Sequence, residues 1–215
     1  MAKYLDLASW SRRELFEFFI GYTNPYFNVC TIVDVTKLVA LVRERPGVKI
    51  SLAIHYFALR IANEIEPFRY RLKDEKVFVY DVVNGGTTVL LPNESFTYAY
   101  FDYQRDFEKF MTDMGKAVDE VRTGTGALKP TMRDDVIYHT TLPWISFTSF
   151  AHARTKGRGD SIPRIVFGKF AKENERMMMP ISVEVHHALM DGLHVGRYLS
   201  RLEEALAVPE TFVTE

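Results

Sequence analysis

The chain has 215 residues, of which 47% are apolar and 26% are charged, and its formal net charge is −1. This composition is typical of a globular protein that does not bind nucleic acid, because charges of both signs are interspersed and the longest basic cluster, residues 154–158, is short. No stretch approaches the ~18 apolar residues of a membrane span, the first residues lack the apolar core of a secretion signal, and the single cysteine, Cys30, excludes both an intrachain disulfide and a cysteine-based zinc cluster.

Helical and strand-like patterns alternate in the N-terminal half. We expect Ser9 to cap a first helix, WSRRELFEFF, and the β-branched run YFNVCTIVDV to form a strand. The spacing of apolar residues predicts two further helices, VTKLVALVRER and SLAIHYFALRIANEI. A hairpin follows, because FRYRL and VFVYDVV alternate on either side of the polar turn KDEK.

The remaining patterns favour a sheet interrupted by one long helix. We expect Asn84, Gly85 and Gly86 to form a turn, and the spacing in QRDFEKFMTDMGKAVDEVR predicts a helix. The predicted strands are TTVLL, FTYAYFDY, the irregular TLPWISFTSF, and the pair IPRIVFGKF and MMMPISVEV, which face each other across the turn AKENER. Since neither a Pro/Gly/Ser-rich linker nor an internal repeat interrupts these elements, we expect residues 1–215 to form a single α+β domain.

The segment from Ile181 to Ala207, ISVEVHHALMDGLHVGRYLSRLEEALA, carries the candidate site. Apolar residues alternate in ISVEV, which predicts a strand, and they recur at helical spacing from Leu193 onward. His186 and His187 therefore lie in a short connection between a strand and a helix. Catalytic groups often occupy such connections, because the rigid elements fix them while the loop leaves them accessible.

Each polar residue of this connection also has a structural interpretation. Asp191 is a well-placed helix N-cap, and His186 and His187 are candidates for core histidines bonded to the backbone. A metal site is disfavoured, since adjacent residues that leave a strand point to opposite sides. His194 lacks a carboxylate or cysteine at ligand spacing that would complete a set.

The motif HHALMDG matches the HHxxxDG signature of CoA-dependent acyltransferases, and the longer HHALMDGLHVGRY resembles its version in chloramphenicol acetyltransferases. The short signature is shared with the acyltransferase cores of 2-oxoacid dehydrogenase complexes and with peptide-synthetase condensation domains. Three other segments are similar to chloramphenicol acetyltransferases in the same order: WSRRELFEFF, FRYRLKDEKVFVYD and LPWISFTSF. The resemblance therefore covers nearly the whole chain, from Trp10 to Leu206.

This resemblance implies a CoA-dependent acyltransferase fold, with a mixed β-sheet flanked by helices, and direct transfer of acetyl from acetyl-CoA to a hydroxyl of chloramphenicol. His187, the second histidine of the signature, aligns with the general base that takes the proton of the attacking hydroxyl, and we expect a backbone carbonyl to hold its other ring nitrogen. Ser149, the last serine of PWISFTSF, aligns with the hydroxyl that donates a hydrogen bond to the oxyanion. Acetyl-CoA is then a cosubstrate, and neither a metal nor a tightly bound cofactor is implied.

The resemblance also assigns residues around the reacting groups. Asp191 aligns with an aspartate that pairs with an arginine of the first helix, here Arg12, and thereby supports the imidazole. The acceptor-binding positions are Phe19, Phe27 and Val166. Phe19 stands where many members have a tyrosine, and Val166 where they have a threonine, so the departures from the family pattern lie mainly around the acceptor.

The expected partners are acetyl-CoA, a small-molecule acceptor and two further copies of the chain. The resemblance implies a homotrimer in which the catalytic histidine of one subunit faces an acceptor pocket built largely by its neighbour. We expect no nucleic-acid or membrane partner, a cytoplasmic location and a role in antibiotic resistance.

Three alternatives remain open at the level of sequence. One is an acyltransferase of the same fold that acts on a different hydroxyl or thiol acceptor. Another is the core of a lipoyl-dependent complex, which the lack of a lipoyl domain or Pro/Ala-rich linker disfavours. The third is a non-catalytic oligomer that binds a small apolar ligand, although binding alone would not need a base such as His187.

Overall fold

The computed structural model describes residues 2–124, 130–154 and 160–214. In these ranges the helices are α1 (Arg13–Ile20), α2 (Thr36–Arg43), α3 (Ile50–Glu64), α4 (Phe107–Thr123), α5 (Gly192–Ala207) and α6 (Pro209–Val213). The strands are β1 (Lys3–Tyr4), β2 (Tyr26–Asp34), β3 (Tyr70–Lys73), β4 (Lys76–Val79), β5 (Asn84–Leu90), β6 (Phe96–Phe101), β7 (Val136–Leu142), β8 (Arg164–Gly168), β9 (Ala171–Glu173) and β10 (Arg176–His186). In the described part of the chain, no helix combines the length and apolar character needed to cross a membrane.

A large mixed sheet forms the centre of the fold. Its strands lie in the order β2, β10, β8, β7, β5 and β6, and the short β9 pairs with the beginning of β10. β7 runs parallel to both of its neighbours, whereas the other pairs of this sheet are antiparallel. The pairing of β10 with β2 continues as far as His186, opposite Tyr26. β10 therefore holds the first histidine within the sheet and presents the second just beyond its end.

The helices cover one face of this sheet and enclose the main core. α3 is its most buried helix, since every residue from Ala53 to Ala62 is buried. Val183 and Val185 of β10 belong to the same core. Because side chains of a strand alternate between the two faces, Ser182 and Glu184 point to the opposite face of the sheet.

A smaller sheet, in the order β1, β4, β3, lies beside α1. Phe16 of α1, Val77 of β4 and Leu189 from the segment after β10 belong to one buried apolar cluster. This cluster fixes the first helix and the hairpin against the connection that carries the histidines.

A fully buried arginine ties this hairpin to the large sheet. The guanidinium of Arg71, in β3, donates to the carbonyls of Phe68, Tyr70, Asp134 and Val136 at distances between 2.5 and 2.9 Å. Burial lowers the pKa of Arg71 to about 10, so the side chain stays charged at neutral pH. Its hydrogen bonds position the start of β7.

Asn84, Gly85 and Gly86 do not form the expected turn, because they begin strand β5. A Cβ atom at Gly85 would lie 2.1 Å from the Phe101 ring, and one at Gly86 would lie 3.0 Å from the Tyr100 ring. The glycines therefore make room for aromatic side chains of β6, a requirement that arises only when the two strands pair.

Three further local expectations are wrong or incomplete. Ser9 does not cap α1, which has Arg12 at its N-cap position; the Ser9 hydroxyl instead donates to the Asp6 carboxylate at 2.8 Å. The expected irregular strand TLPWISFTSF ends at Leu142 and continues without regular structure. The expected turn AKENER contains the short strand β9, which extends the sheet.

Two histidines meet inside the core, between α3 and β7. The Nδ1 atoms of His55 and His139 lie 3.0 Å apart, and both side chains are almost inaccessible to solvent. Burial lowers the pKa of His55 to about 3, and burial together with the neighbouring His55 holds the pKa of His139 well below its ordinary value. Both rings are therefore neutral in the folded protein at neutral pH.

We expect this pair to make the fold sensitive to acid. As the pH falls below about 6.5, histidines of the unfolded chain bind protons that the folded core excludes, so the free energy of unfolding decreases by roughly 2 kcal/mol per histidine by pH 5. Urea unfolding at pH 7 and pH 5 measures this loss. The double variant His55→Leu/His139→Leu should show a smaller loss than the wild type; equal losses would contradict the assignment.

Candidate active site

The connection between β10 and α5 is held by backbone and side-chain hydrogen bonds. The amide of His187 donates to the carbonyl of Pro25 at 2.7 Å, which continues the pairing of β10 and β2 by one residue. Asp191 is the N-cap of α5, as the structural interpretation of the sequence predicts. Its carboxylate accepts a hydrogen bond from the Leu193 amide at 3.0 Å. The Asp191 amide in turn donates to His194 Nδ1 at 3.1 Å. His194 therefore takes part in the N-terminal capping of α5.

The imidazole of His187 lies between two aromatic rings. It stacks on Phe19 of α1, with ring centroids 3.9 Å apart and an interplanar angle of 8°, and Phe27 of β2 lies 4.7 Å away at 48°. The expected backbone carbonyl is missing: Nδ1 is buried and has no hydrogen-bond partner in the described part of the chain. Aromatic packing therefore orients this ring, and because Nδ1 is buried, Nε2 is the nitrogen left to meet a substrate.

His186 has a different environment, although it is adjacent in sequence. Its side chain is buried, Nδ1 accepts from the Ala188 amide at 3.2 Å, and the ring meets the edge of Tyr26 at 5.2 Å. Burial and, secondarily, the positive charge of Arg154 lower the pKa of His186 to about 4. His186 is therefore a neutral structural residue of the turn, whereas His187 is only partly buried.

An ion pair joins the two ends of the chain at this turn. The guanidinium of Arg12 donates to the Asp191 carboxylate, and a second nitrogen lies 3.4 Å from the carbonyl of His187. Burial opposes ionisation of Asp191, but the charges of Arg12 and His194 and the hydrogen bonds to the carboxylate outweigh it and lower its pKa. Arg13, by contrast, is exposed and pairs with Glu17 on the same helix.

Ser149 belongs to a different segment from this turn. It is an exposed residue of the loop that follows β7. The loop is fixed on both sides of it, since the Lys169 amide donates to the Ile145 carbonyl at 2.8 Å and the Asn28 side chain donates to the Phe150 carbonyl at 2.6 Å. No hydrogen bond or ring contact of the described residues joins Ser149 to His187. Within one chain the two predicted groups are therefore not bonded to each other.

Val166 is fully buried in β8, opposite Thr140 of β7 and Ser182 of β10. Its neighbours Ile165 and Phe167 enter the main core, so Val166 points to the face of the sheet opposite the helices. Phe19 and Phe27 contact His187, whereas Val166 pairs with Ser182, five residues before His187 along the chain. The structure thus places the three predicted acceptor-binding residues in two separate regions.

The face of the sheet opposite the helices carries a large cavity, which we call the strand-face cavity. Its volume is about 640 Å³, and its lining includes Phe96, Tyr98, Tyr138, His152, Asp160 and Arg164. No local sequence pattern marks this cavity, because its residues come from segments that are far apart in the sequence. The sequence does contain one indication of a polar site, because a charged residue lies within each of two apolar strands. These residues are Arg164 in IPRIVF and Glu184 in ISVEV.

Comparison with known proteins identifies the class of enzyme first. A solved dihydrolipoamide acetyltransferase from Azotobacter vinelandii has a TM-score of 0.69 and 17% identity, with 93% of this chain and 88% of that chain covered. A solved chloramphenicol acetyltransferase has a TM-score of 0.86 and 27% identity, with 96% and 100% covered. The fold is therefore that of the acyltransferases.

The family follows from the sequence comparisons. The family model described as chloramphenicol acetyltransferase matches residues 2–203. The chloramphenicol acetyltransferase of Campylobacter coli is 29% identical over 206 residues, which cover 94% of this chain and 97% of that protein. The corresponding protein of Proteus mirabilis is 26% identical over 201 residues, with 93% and 92% covered. This chain belongs to the chloramphenicol acetyltransferase family, and the predicted family, mixed α+β fold and acyltransferase class are confirmed.

A double-mutant cycle can measure the interaction energy between Arg12 and Asp191. We expect Arg12→Met and Asp191→Asn each to cost roughly 1.5 to 3 kcal/mol of stability, because each leaves a partly buried charged partner without its hydrogen bond. The double variant should cost at least ~1 kcal/mol less than the sum of the single losses. Urea unfolding of the four proteins measures this coupling, and strictly additive losses would show that the pair contributes no interaction energy.

Proposed function

We propose that this protein transfers the acetyl group of acetyl-CoA to a hydroxyl of chloramphenicol, with His187 as the general base. The observation that carries the proposal is the placement of His187: a partly buried ring, stacked on Phe19, at a turn braced by Arg12 and Asp191, in a chain of this family. A cytoplasmic location, where acetyl-CoA is available, and a role in antibiotic resistance belong to the same proposal.

In the proposed reaction, Nε2 of neutral His187 takes the proton of the acceptor hydroxyl as its oxygen attacks the thioester carbonyl. The tetrahedral intermediate carries its negative charge on the former carbonyl oxygen, to which the Ser149 hydroxyl donates a hydrogen bond. Collapse of this intermediate breaks the carbon–sulfur bond. The proton held by His187 passes to the departing thiolate, which leaves an acetyl ester, free CoA and a neutral imidazole.

The catalytic unit that we propose is a homotrimer. Membership of the chloramphenicol acetyltransferase family supports this assembly, and the reaction needs both His187 and Ser149 at one carbonyl. Large apolar side chains are also exposed beside the Ser149 loop, including Trp144 and Ile145. In the trimer, His187 of one subunit meets the Ser149 loop and the strand-face cavity of its neighbour, so each site lies at a subunit interface.

Replacement of the two histidines should separate their roles. We expect His187→Ala to lower kcat by about 10² to 10⁴, because no other group removes the acceptor proton, while the melting temperature changes little. His186→Ala should act mainly through stability. Release of CoA thiol and thermal unfolding measure the two effects, and the reverse order of damage at equal foldedness would contradict the assignment.

Cys30→Ser is the control for a direct transfer. No acetyl-enzyme is proposed, so this variant should keep nearly the full rate. Acetyl trapped on Cys30, or ping-pong kinetics, would overturn the direct mechanism.

Mixed trimers test whether each site is shared. Ser149→Ala alone should lower kcat by about 10² to 10³, since the oxyanion exists only in the transition state. When the His187→Ala and Ser149→Ala proteins are dissociated, mixed in equal amounts and reassembled, random assembly leaves both groups intact in about a quarter of shared sites. We therefore expect activity to return on mixing. Mixing each variant only with itself is the control, and no gain in the mixed sample would place both groups of a site in the same subunit.

A further inference from the structure

The strand-face cavity has two chemically different ends. One end is aromatic and is formed by Phe96 and Tyr98 of β6, which provide apolar surface for a ring, whereas Tyr138 of β7 lies beside Arg164, whose guanidinium is 5.9 Å from the Tyr138 ring. The other end is polar, with Arg164 and His152 in its lining. A ligand that fills the cavity must therefore combine an apolar face with hydrogen-bonding groups.

Four charged side chains form a cluster at the polar end, which we call the four-charge cluster: Arg154, Asp160, Arg164 and Glu184. Asp160 lies between the two arginines, 2.9 Å from Arg154 and 2.7 Å from Arg164. Arg154 also reaches Glu184 at 2.5 Å. Although burial opposes ionisation, His152 and Arg154 lower the pKa of Glu184 to about 2, so this carboxylate is ionised, and the cluster pairs two arginines with two acidic side chains.

Because these charges cancel, the cluster does not favour a ligand of either sign. An anionic ligand near Arg164 would also face Asp160, and a cationic ligand near Asp160 would face both arginines. A neutral ligand with several hydroxyls meets neither repulsion. Each hydroxyl can donate to a carboxylate and accept from a guanidinium or an imidazole.

The polar end also has unused hydrogen-bonding capacity. Nε of Arg164 is buried and has no hydrogen-bond partner among the described residues, whereas Nδ1 of His152 lies 3.6 Å from the Glu184 carboxylate. An unpaired buried polar group is costly, and a ligand that satisfies it gains affinity. Both side chains line the cavity, where a ligand hydroxyl can supply the missing partner of Arg164.

We propose that the preferred acceptor of this pocket is a neutral, polyhydroxylated ring compound, such as a glycoside. Its hydroxyls form hydrogen bonds with Arg164 and His152. This inference rests on the proposed acetyl transfer and narrows its acceptor class. Chloramphenicol is then a secondary substrate, since it fits the aromatic end but offers fewer hydroxyls to the polar end. Arg164 and His152 are specificity-determining residues in this assignment.

Three probes that share a 4-nitrophenyl group isolate the polar part of the acceptor: 4-nitrophenyl β-D-glucoside, 4-nitrophenyl β-D-glucuronide and chloramphenicol. We expect the kcat/KM of the intact trimer, measured as release of CoA thiol, to be at least about tenfold higher for the glucoside than for either other probe. Chloramphenicol exceeding the glucoside, or the anionic glucuronide exceeding it, overturns the assignment.

Two variants connect the preference to the named side chains. Arg164→Met and His152→Phe should each lower kcat/KM for the glucoside by roughly tenfold to a hundredfold, which is at least about tenfold more than the loss for chloramphenicol. Arg201→Met is the matched control, because Arg201 also pairs with carboxylates, Glu64 and Glu204, but lies on α5. Equal losses for glucoside and chloramphenicol in both variants overturn the proposal, and His152→Phe decides it if Arg164→Met does not fold.

Binding to the inactive His187→Ala protein separates this inference from the proposed function. Isothermal titration calorimetry should show the same order of affinities, with the glucoside tightest by about tenfold. If no acceptor gives His187-dependent CoA release but the glucoside binds in this order, the proposed acetyl transfer fails and the ligand class stands. If chloramphenicol is acetylated and binds more tightly than the glucoside, the acetyl transfer stands and the ligand class fails.

Discussion

The alternation of side chains along β10 is the constraint on which the rest of this structure depends. Val183 and Val185 enter the core against the helices, so Ser182 and Glu184 must occupy the opposite face. A shift of the strand by one residue would exchange the two sets and bury a carboxylate in the apolar core. The same register with β2 fixes where the strand ends and therefore where His187 begins its turn.

The turn itself is stabilised by groups that are distant in sequence. Arg12 contacts both the Asp191 carboxylate and the His187 carbonyl, and Phe19, seven residues later on the same helix, stacks on the His187 ring. Helix α1 thus fixes both the backbone and the side chain of the candidate base. Packing of α1 on the hairpin and on Leu189 supplies the rigidity that this arrangement needs.

Local patterns were enough to predict the elements of this site, but contacts between distant segments were not visible in them. The helix cap at Asp191 and the strand ISVEV follow from spacing and alternation, which act over a few residues. The role of Gly85 depends on Phe101 in the paired strand, and the four-charge cluster depends on three segments that meet only in the folded sheet. The pairing of Arg12 with Asp191 came from family resemblance, since no local pattern connects residues so far apart.

The contact between Arg12 and the His187 carbonyl spans 175 positions of sequence and has a consequence for how activity appears during synthesis. The ribosome completes α1 among the first elements and the turn after β10 among the last. A nascent chain therefore contains Arg12 and Phe19 long before it contains His187, the residue that they contact. In the proposed mechanism the general base is therefore added late, and translation products that stop before His187 lack it.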